Sequence, residues 1–203
     1  MDIRELTLEE VKKLYEEELP ATFPAAELKP YEAVEALKER DCYLPLGLFE
    51  NGALVSYLML WTDRTQQYAL IDYLAAVRGC RNSGYGARML RETFAAYPQF
   101  RCFLGEVEAP DDRDEAENAL RRRRLAFYER NGFRFLNYDC ALFGVHYRDI
   151  VFGDVTDGEA LLAHQNIYAE HFPPTHLKRF IQLPLEPGEA VKPCFPWTEA
   201  DGI

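Results

Sequence analysis

The sequence predicts a mixed α/β fold, a mainly antiparallel central sheet flanked by helices. Three observations lead there. Strand and helix patterns follow one another as β-α-α-β-β-β-α-β-α-β-β over residues 1–152. Glu50-Asn51-Gly52 lies between two apolar runs, the composition of a tight hairpin joining antiparallel strands. A third apolar run, Ala69 to Val77, ends in a polar loop with glycines that opens an amphipathic helix.

Taken in order, Asp2–Leu6 reads as a short first strand. Thr7 with Glu10 forms a capping box ahead of Val11, Leu14 and Tyr15, so a helix runs to about Leu19, where Pro20 and Pro24 stop it. Pro30 suits the first helical position of a second helix through Arg40. Tyr43–Phe49 and Ala53–Trp61 are the hairpin strands, and Gln67–Val77 is the next. The helix after the glycine loop covers about Tyr85–Tyr97 and stops before Pro98. Arg101–Glu108 is a strand, and Asp114–Asn131 a long helix closed by Gly132 in the left-handed conformation. Phe133–Asp139 and Leu142–Phe152 are the last two strands. Residues 157–172 add a helix, and the prolines beyond it (Pro173, Pro174, Pro184, Pro187, Pro193, Pro196) point to an extended tail. This divides the chain into a domain over 1–152 and a C-terminal helix with a proline-rich extension over 153–203.

A chain of 203 residues, 48% hydrophobic and 28% charged, can bury a full core and stay soluble. No run nears the roughly 18 apolar residues of a membrane span. The start, Met-Asp-Ile-Arg-Glu, has no apolar signal region, so a cytoplasmic location without a membrane partner is expected. Cys42, Cys80, Cys102, Cys140 and Cys194 are odd in number and lack C-x-x-C, the pattern of free thiols. His146, His164, His171 and His176 form no H-E-x-x-H, and no metal is expected. A net charge of −11 argues against nucleic acid, which needs a basic face. The same field suits a cationic small substrate.

The stretch from Leu74 to Leu90 carries the strongest chemical signal. Arg81, Gly84 and Gly86 stand at R-x-x-G-x-G spacing where a helix begins. Glycine lets backbone N–H groups approach an anion closely. The helix N-terminus adds unpaired donors and partial positive charge. Arg81 supplies a bidentate clamp, which completes a phosphate cradle. The same spacing also serves an ordinary strand-to-helix turn. It is not a Walker loop, because no Gly-Lys-Ser/Thr follows, nor a dinucleotide fingerprint, which needs a third glycine and an acid about 20 positions on.

With the element order, this motif resembles the GNAT N-acetyltransferase superfamily. A second match lies one strand and one helix further on: Ala126-Phe127-Tyr128-Glu129-Arg130-Asn131-Gly132-Phe133 is similar to the family's L-Y-x-x-x-G-F segment. The resemblance covers residues 1–152 and leaves 153–203 outside. It implies that the strand before the glycine loop splays from the next strand to admit acetyl-CoA as cosubstrate. Backbone groups of Leu74, Ala75 and Val77 would pair with the pantetheine arm. The amides of Arg81, Asn82, Ser83, Gly84, Tyr85, Gly86 and Ala87 would hold the pyrophosphate. One departure stands out: the family's asparagine two turns before the motif tyrosine falls on Arg121, with Asn118 three residues earlier.

Acetylating an amine requires removing its proton, stabilising charge on the thioester oxygen, and supplying a donor to the leaving thiolate. The resemblance implies Tyr128 as that donor; a core aromatic with a bonded hydroxyl is the plainer account of the same residue. On a helical wheel Tyr128 lies near Arg121 and Leu125, away from an apolar stripe of Ala116, Ala119, Leu120 and Phe127. For the base, Glu106 and Glu108 share one strand face with Cys102 and Leu104. Glu106 is the expected catalytic base, with Glu108, Asp72 and a water chain as competitors, and a structural ion pair is the plainer account of each acid. Arg123 falls inside the apolar stripe, so it needs a buried carboxylate partner. The four arginines Arg121–Arg124 point all round their helix, and salt links to the preceding acidic insertion account for them.

The expected function is therefore an acetyl-CoA-dependent N-acetyltransferase acting on a primary amine of a small molecule or protein. A non-catalytic acyl-CoA-binding module on the same fold is the alternative, and Gly84, Gly86 and Tyr128 together favour the enzyme. A nucleotide-binding protein using the same loop is a third reading, disfavoured by the missing Walker lysine. Loops around Pro20–Pro30 and the C-terminal extension are expected to shape the acceptor pocket. Leu161, Leu162, Ile167 and Tyr168 give the extension an apolar face. Buried by the second helix it would tune substrate choice, and buried by a second chain it would make a homodimer. Tyr168, His171, Phe172 and Trp197 could cover the pocket or simply pack.

Overall fold

A computed structural model describes residues 1–192. The first strand and two helices are β1 (Asp2–Glu5), α1 (Leu8–Glu17) and α2 (Tyr31–Glu39). Three strands and a helix follow: β2 (Tyr43–Glu50), β3 (Ala53–Thr62), β4 (Tyr68–Ala76) and α3 (Tyr85–Ala96). Then come β5 (Cys102–Glu108), α4 (Glu115–Arg130), β6 (Arg134–Leu142) and β7 (Val145–Gly153). The chain continues through α5 (Asp157–His171), α6 (Pro174–Phe180) and β8 (Ile181–Gln182). This is the expected mixed α/β class, with mainly antiparallel strands and flanking helices. Among the described residues, no helix is long and apolar enough to cross a membrane.

The described backbone forms two compact units, residues 1–100 and residues 101–192. In the first, β1 to β4 follow one another as an antiparallel meander. Thr7 and Glu10 close the capping box of α1 as the spacing predicts. Asn51 and Gly52, at φ 52° and 80°, make the tight turn between β2 and β3. Val11, Leu14, Val34 and Leu37 from the helices are buried, as are Leu46, Leu48, Leu58 and Leu60 from the strands.

In the second unit the strand order is β5-β7-β6-β8. Gly132, at φ 89°, closes α4 as expected. The last hairpin differs from its expected bounds. β6 runs on to Leu142, and Phe143-Gly144, at φ 48° and 82°, form the two-residue turn. An aromatic residue in that turn disguises it, and Phe143 is held there by stacking on Phe180 at 5.3 Å. Residues 173–182 are not an extended tail either. Pro174 stands at the first helical position of α6, a place that suits proline. Ile181 and Gln182 then pair with Leu142 and Ala141. Pro193, Cys194, Pro196 and Trp197 lie outside the described residues.

Helix α4 corrects a second expectation. Ala116, Ala119 and Leu120, expected to face the core, are exposed, and so is Arg123. The inward face is Asn118, Arg121, Leu125 and Tyr128, at the i, i+3, i+7, i+10 spacing of one helical side. Arg121, not Arg123, is the arginine with the carboxylate partner. The apolar side of α5 turns inward onto its own unit: Ala160, Ala163, Ile167 and Tyr168 are buried, and the helix packs against β5 and α6. Leu162 alone of the expected apolar face is exposed. The buried part of the face therefore packs on elements of its own unit.

Candidate functional site

In the first unit the chain leaves β4 paired to β3, with Tyr57 opposite Ala75 and Leu58 opposite Leu74. The Val77 amide donates to Val55 O at 3.0 Å. Antiparallel alternation gives Ala75 the same orientation and turns the Leu74 and Ala76 amides away from β3. Of the three strand residues expected to meet a pantetheine arm, Leu74 is thus the one whose amide is aimed outward. Arg78 then ties the loop to the end of α1, its amide donating to Glu18 Oε2 at 3.2 Å and its guanidinium to Glu17 O at 3.0 Å.

The loop from Arg81 to Ala87 has the geometry of an anion site. Asn82 and Gly84 are left-handed, at φ 63° and 80°. Gly84 is the N-cap of α3, and a Cβ built there meets nothing within 4 Å. The first bond of the helix ladder runs from Arg88 N to Gly84 O at 3.0 Å, so the amides of Tyr85, Gly86 and Ala87 precede the ladder. The first turn of α3 holds no acidic residue to neutralise the helix dipole. Arg81 donates to Thr22 Oγ1 at 3.0 Å, which holds its guanidinium beside the loop. Ser83 Oγ turns back on Arg81 O at 3.5 Å, and Tyr85 Oη donates to Glu50 at 2.5 Å.

Of the acids weighed as bases, two are committed elsewhere. Asp72 forms a buried ion pair with Lys29 and accepts from Tyr43 Oη at 2.5 Å. Lys29 in turn lies 4.7 Å from the Trp61 ring centre. Glu108 is gripped by Arg121 at 3.0 Å and by Arg124, with Arg121 also donating to Ala109 O at 2.9 Å. Asn118 clasps the preceding loop by accepting from Asp112 N at 2.9 Å and donating to Asp112 O at 2.8 Å.

Glu106 differs. Its Oε1 faces His164 Nε2 at 2.7 Å and accepts from Tyr168 Oη at 2.8 Å, while Tyr168 Oη lies 3.1 Å from Oε2. The register of β5 on β7 sets Glu106 directly opposite Asp149, which is 1% exposed. The other ring nitrogen, His164 Nδ1, lies 3.5 Å from Asp149 Oδ1 and 3.4 Å from Tyr138 Oη. Cys140 Sγ donates to Asp149 Oδ1 at 3.5 Å, and Asp149 Oδ2 has no hydrogen-bond partner among the described residues. Burial, reinforced by the charges of Glu106 and Asp139 and opposed by His164, pushes the Asp149 carboxyl up to about 8. Burial disfavours charge on His164, but the hydrogen bond and charge of Glu106, with the charge of Asp149, outweigh it and raise its proton affinity. Burial, with the neighbouring acids, holds the Cys140 thiol protonated. Glu106, Asp149 and His164 bring one donor atom each within 4.8 Å of one another. Nε2 is hydrogen-bonded to Glu106, however, and Nδ1 faces Tyr138 Oη at 3.4 Å with Asp149 Oδ1 at 3.5 Å, so both ring nitrogens already have polar neighbours.

Tyr128 sits on the inward face of α4, edge-on to Phe127 and Phe133 at 5.2 Å each. Burial pushes its hydroxyl up to about 12, with Arg124 pulling the other way. It therefore stays a donor at any working pH.

Sequence reasoning passed over His164 and Asp149. The available signal was a histidine on the apolar face of α5, one turn from Ala160, Ile167 and Tyr168, and an acid inside the apolar run Asp149-Ile150-Val151-Phe152.

The profile of the acetyltransferase (GNAT) family matches residues 8–133. Solved structures share the fold. A protein from Bacteroides thetaiotaomicron described as of the GNAT family aligns over 84% of this chain and 98% of its own, at TM-score 0.67 and 21% identity. A ribosomal-protein-alanine N-acetyltransferase from Brucella melitensis aligns over 75% and 99%, at TM-score 0.54 and 16% identity. A spermidine N-acetyltransferase chimera of Vibrio cholerae and hSSAT aligns over 79% and 97%, at TM-score 0.54 and 11% identity. No curated protein matches the sequence significantly.

Proposed function

As the chain belongs to the GNAT acetyltransferase family, we propose that it transfers the acetyl group of acetyl-CoA to a primary amine of a small molecule or a protein. The observation that carries this reading is the turn from Arg81 to Ala87, where a left-handed Gly84 opens α3 and three amides precede the helix ladder beneath open space. Such a turn suits a pyrophosphate, whose charge the helix dipole and Arg81 favour.

The remaining chemistry falls to residues of the second unit. A lysine-like amine is protonated at neutral pH, with a pKa near ~10.4, and must lose a proton before it can attack. Glu106 is the acid we assign to that step: Asp72 and Glu108 are each held by lysine or arginine partners, whereas Glu106 meets a histidine and a tyrosine hydroxyl. Tyr128 hydrogen-bonds the sulfur as the thiolate leaves. A phenol near 12 is too weak an acid to protonate a thiolate outright, so its contribution is a donated hydrogen bond that strengthens as charge builds on sulfur. The free thiols of Cys42, Cys80, Cys102 and Cys140 fit a cytoplasmic setting.

The net charge of −11 favours a cationic acceptor. Two probes separate the acceptor classes: spermidine, and a peptide with an N-terminal alanine. Release of free CoA thiol from acetyl-CoA with either amine is the expected result. If acetyl-CoA neither raises the melting temperature nor loses its acetyl group to any of a broad panel of amines, the reading is wrong.

A further inference from the structure

We propose that His164, oriented by Asp149, is a positioning residue for Glu106: it holds Oε1 by a hydrogen bond from Nε2 and leaves Oε2 as the oxygen that takes the amine's proton. This rests on the acetyl-transfer reading above. In the step itself an N–H bond of the ammonium breaks, an O–H bond forms on Glu106 Oε2, and that proton then passes to solvent. The freed amine attacks the thioester carbon; as the C–N bond forms the C–S bond breaks, and the second proton lost by nitrogen ends on the departing CoA thiolate.

The argument begins with register. Glu106 and Asp149 are direct partners on neighbouring antiparallel strands. Two like charges in that relation repel, and burial makes the repulsion worse. A cation or a shared proton has to lie between them. His164 is 1% exposed and reaches that place from α5, with Nε2 2.7 Å from Glu106 Oε1 and Nδ1 3.5 Å from Asp149 Oδ1. Nε2 thus holds the working group by a hydrogen bond, while the Asp149 carboxyl and the Tyr138 hydroxyl stand against the far side of the ring and set its orientation. Tyr168 adds its hydroxyl to the same Oε1 at 2.8 Å.

The groups facing the ring come from every element packed around it: Glu106 from β5, Tyr138 and Cys140 from β6, Asp149 from β7, and Tyr168 from α5. Asp139 acts on Asp149 through its charge alone. The hydroxyls and the thiol stay neutral: Tyr168 Oη and Cys140 Sγ donate to the acids, and Tyr138 Oη accepts from a protonated Nδ1. The Glu106 carboxylate favours a doubly protonated ring, and so does Asp149 once it has lost its own proton. The family profile ends at residue 133, so Asp149 and His164 are both supplied by chain beyond it.

The test combines a readout independent of turnover with a kinetic one. Nitrogen-15 NMR of the His164 ring in the intact protein should show the ring titrating at higher pH than a free imidazole, and the titration should move to lower pH in Glu106→Gln. With acetyl-CoA and the better of the two probe amines, His164→Leu should lower kcat by up to ~10²-fold while the acetyl-CoA KM stays put. His164→Gln keeps a donor toward Oε1 and should recover most of that loss, but without the parent's pH profile. A His164 titration unchanged by Glu106→Gln overturns the proposal. So does a folded His164→Leu protein with the parent's kcat and profile, or one divalent cation bound per chain. If neither His164 variant folds, the NMR comparison of parent and Glu106→Gln still decides. If the parent acetylates nothing, the transfer reading fails while that comparison reports separately on the Glu106–His164 contact.

Discussion

Glu106 and Asp149 face each other across the β5–β7 ladder, and the imidazole of His164 lies between their carboxylates. The arrangement places two acids and one base where exposure is 12% or less, so their protonation is tied to folding.

Stability should therefore fall as pH rises from about 6 to 8.5. The Asp149 carboxyl keeps its proton up to about 8 in the folded chain, whereas an unfolded aspartate loses it near ~3.9. Across that window the native state binds more protons, and rising pH favours unfolding. His164 acts in the same direction. Its folded proton affinity is raised, so its contribution is complete below the unfolded value near ~6.5 and is lost as pH climbs through the folded one. One retained proton amounts to at most ~1.4 kcal/mol per pH unit. Urea midpoints at pH 6.0, 7.0 and 8.5 measure the slope, and Asp149→Asn should flatten it. An equally steep slope in that variant would show that the dependence arises elsewhere.

Asp72→Asn tests whether that acid is structural. Its carboxylate holds Lys29 and the Tyr43 hydroxyl, with the Lys29 and Asp72 side chains 7% and 9% exposed. Removing the carboxylate deletes the ion-pair partner of a buried ammonium, at a cost of roughly 3–5 kcal/mol. Denaturant unfolding should register that loss, while turnover per folded molecule stays near the parent's. A stable Asp72→Asn protein with collapsed kcat would move the base from Glu106 to Asp72.

What the sequence disclosed about the fold was its local part. Capping at Thr7–Glu10, the Asn51-Gly52 turn and Gly132 each depend on residues within a few positions, and each is in place. The inward face of α4 was misjudged because Arg121–Arg124 offer no hydropathy contrast. An arginine with a long apolar stem can turn inward where it finds a carboxylate, as Arg121 does with Glu108. The site divides in the same way. The Arg81–Ala87 turn is contiguous and legible, and Glu106 followed from alternation along one strand. The His164 contact spans 58 positions and exists only once α5 packs on β5, so no local pattern announces it.

Gly84→Ala probes the anion site. A side chain at φ 80° costs about 1–2 kcal/mol of local strain, and its Cβ would stand in the open space above the loop. Acetyl-CoA affinity should drop about tenfold, equivalent to ~1.4 kcal/mol. Gly79→Ala is the control, since its Cβ also meets nothing within 4 Å and its backbone is not left-handed. Calorimetric titration of both variants settles the matter: equal affinities would remove the loop from the binding site.

Tyr128→Phe deletes one donor and leaves the ring contacts with Phe127 and Phe133 intact. Folding should be preserved and acetyl-CoA binding little changed, while kcat falls by on the order of 10²-fold. Parent-like turnover on a competent amine would make the residue packing alone.

Truncation after Gly153 should unfold the second unit rather than yield a functional shorter enzyme. The segment removed buries Ile167, Tyr168, Phe172 and Phe180, each 4% exposed or less. Burial of such side chains contributes roughly 1.5–3 kcal/mol apiece. Four of them together approach the ~5–15 kcal/mol net stability of a typical protein. The cut also strips His164 and Tyr168 from Glu106 and leaves Asp149 opposite it without the intervening imidazole. Exposed apolar strands and two facing carboxylates then remain where a packed helix had been. Circular dichroism and size exclusion of the 1–153 chain should show lost structure or aggregation. A monomeric, cooperatively melting 1–153 chain that turns over acetyl-CoA with the parent's pH profile would show that α5 and its histidine are dispensable both to the unit and to the base.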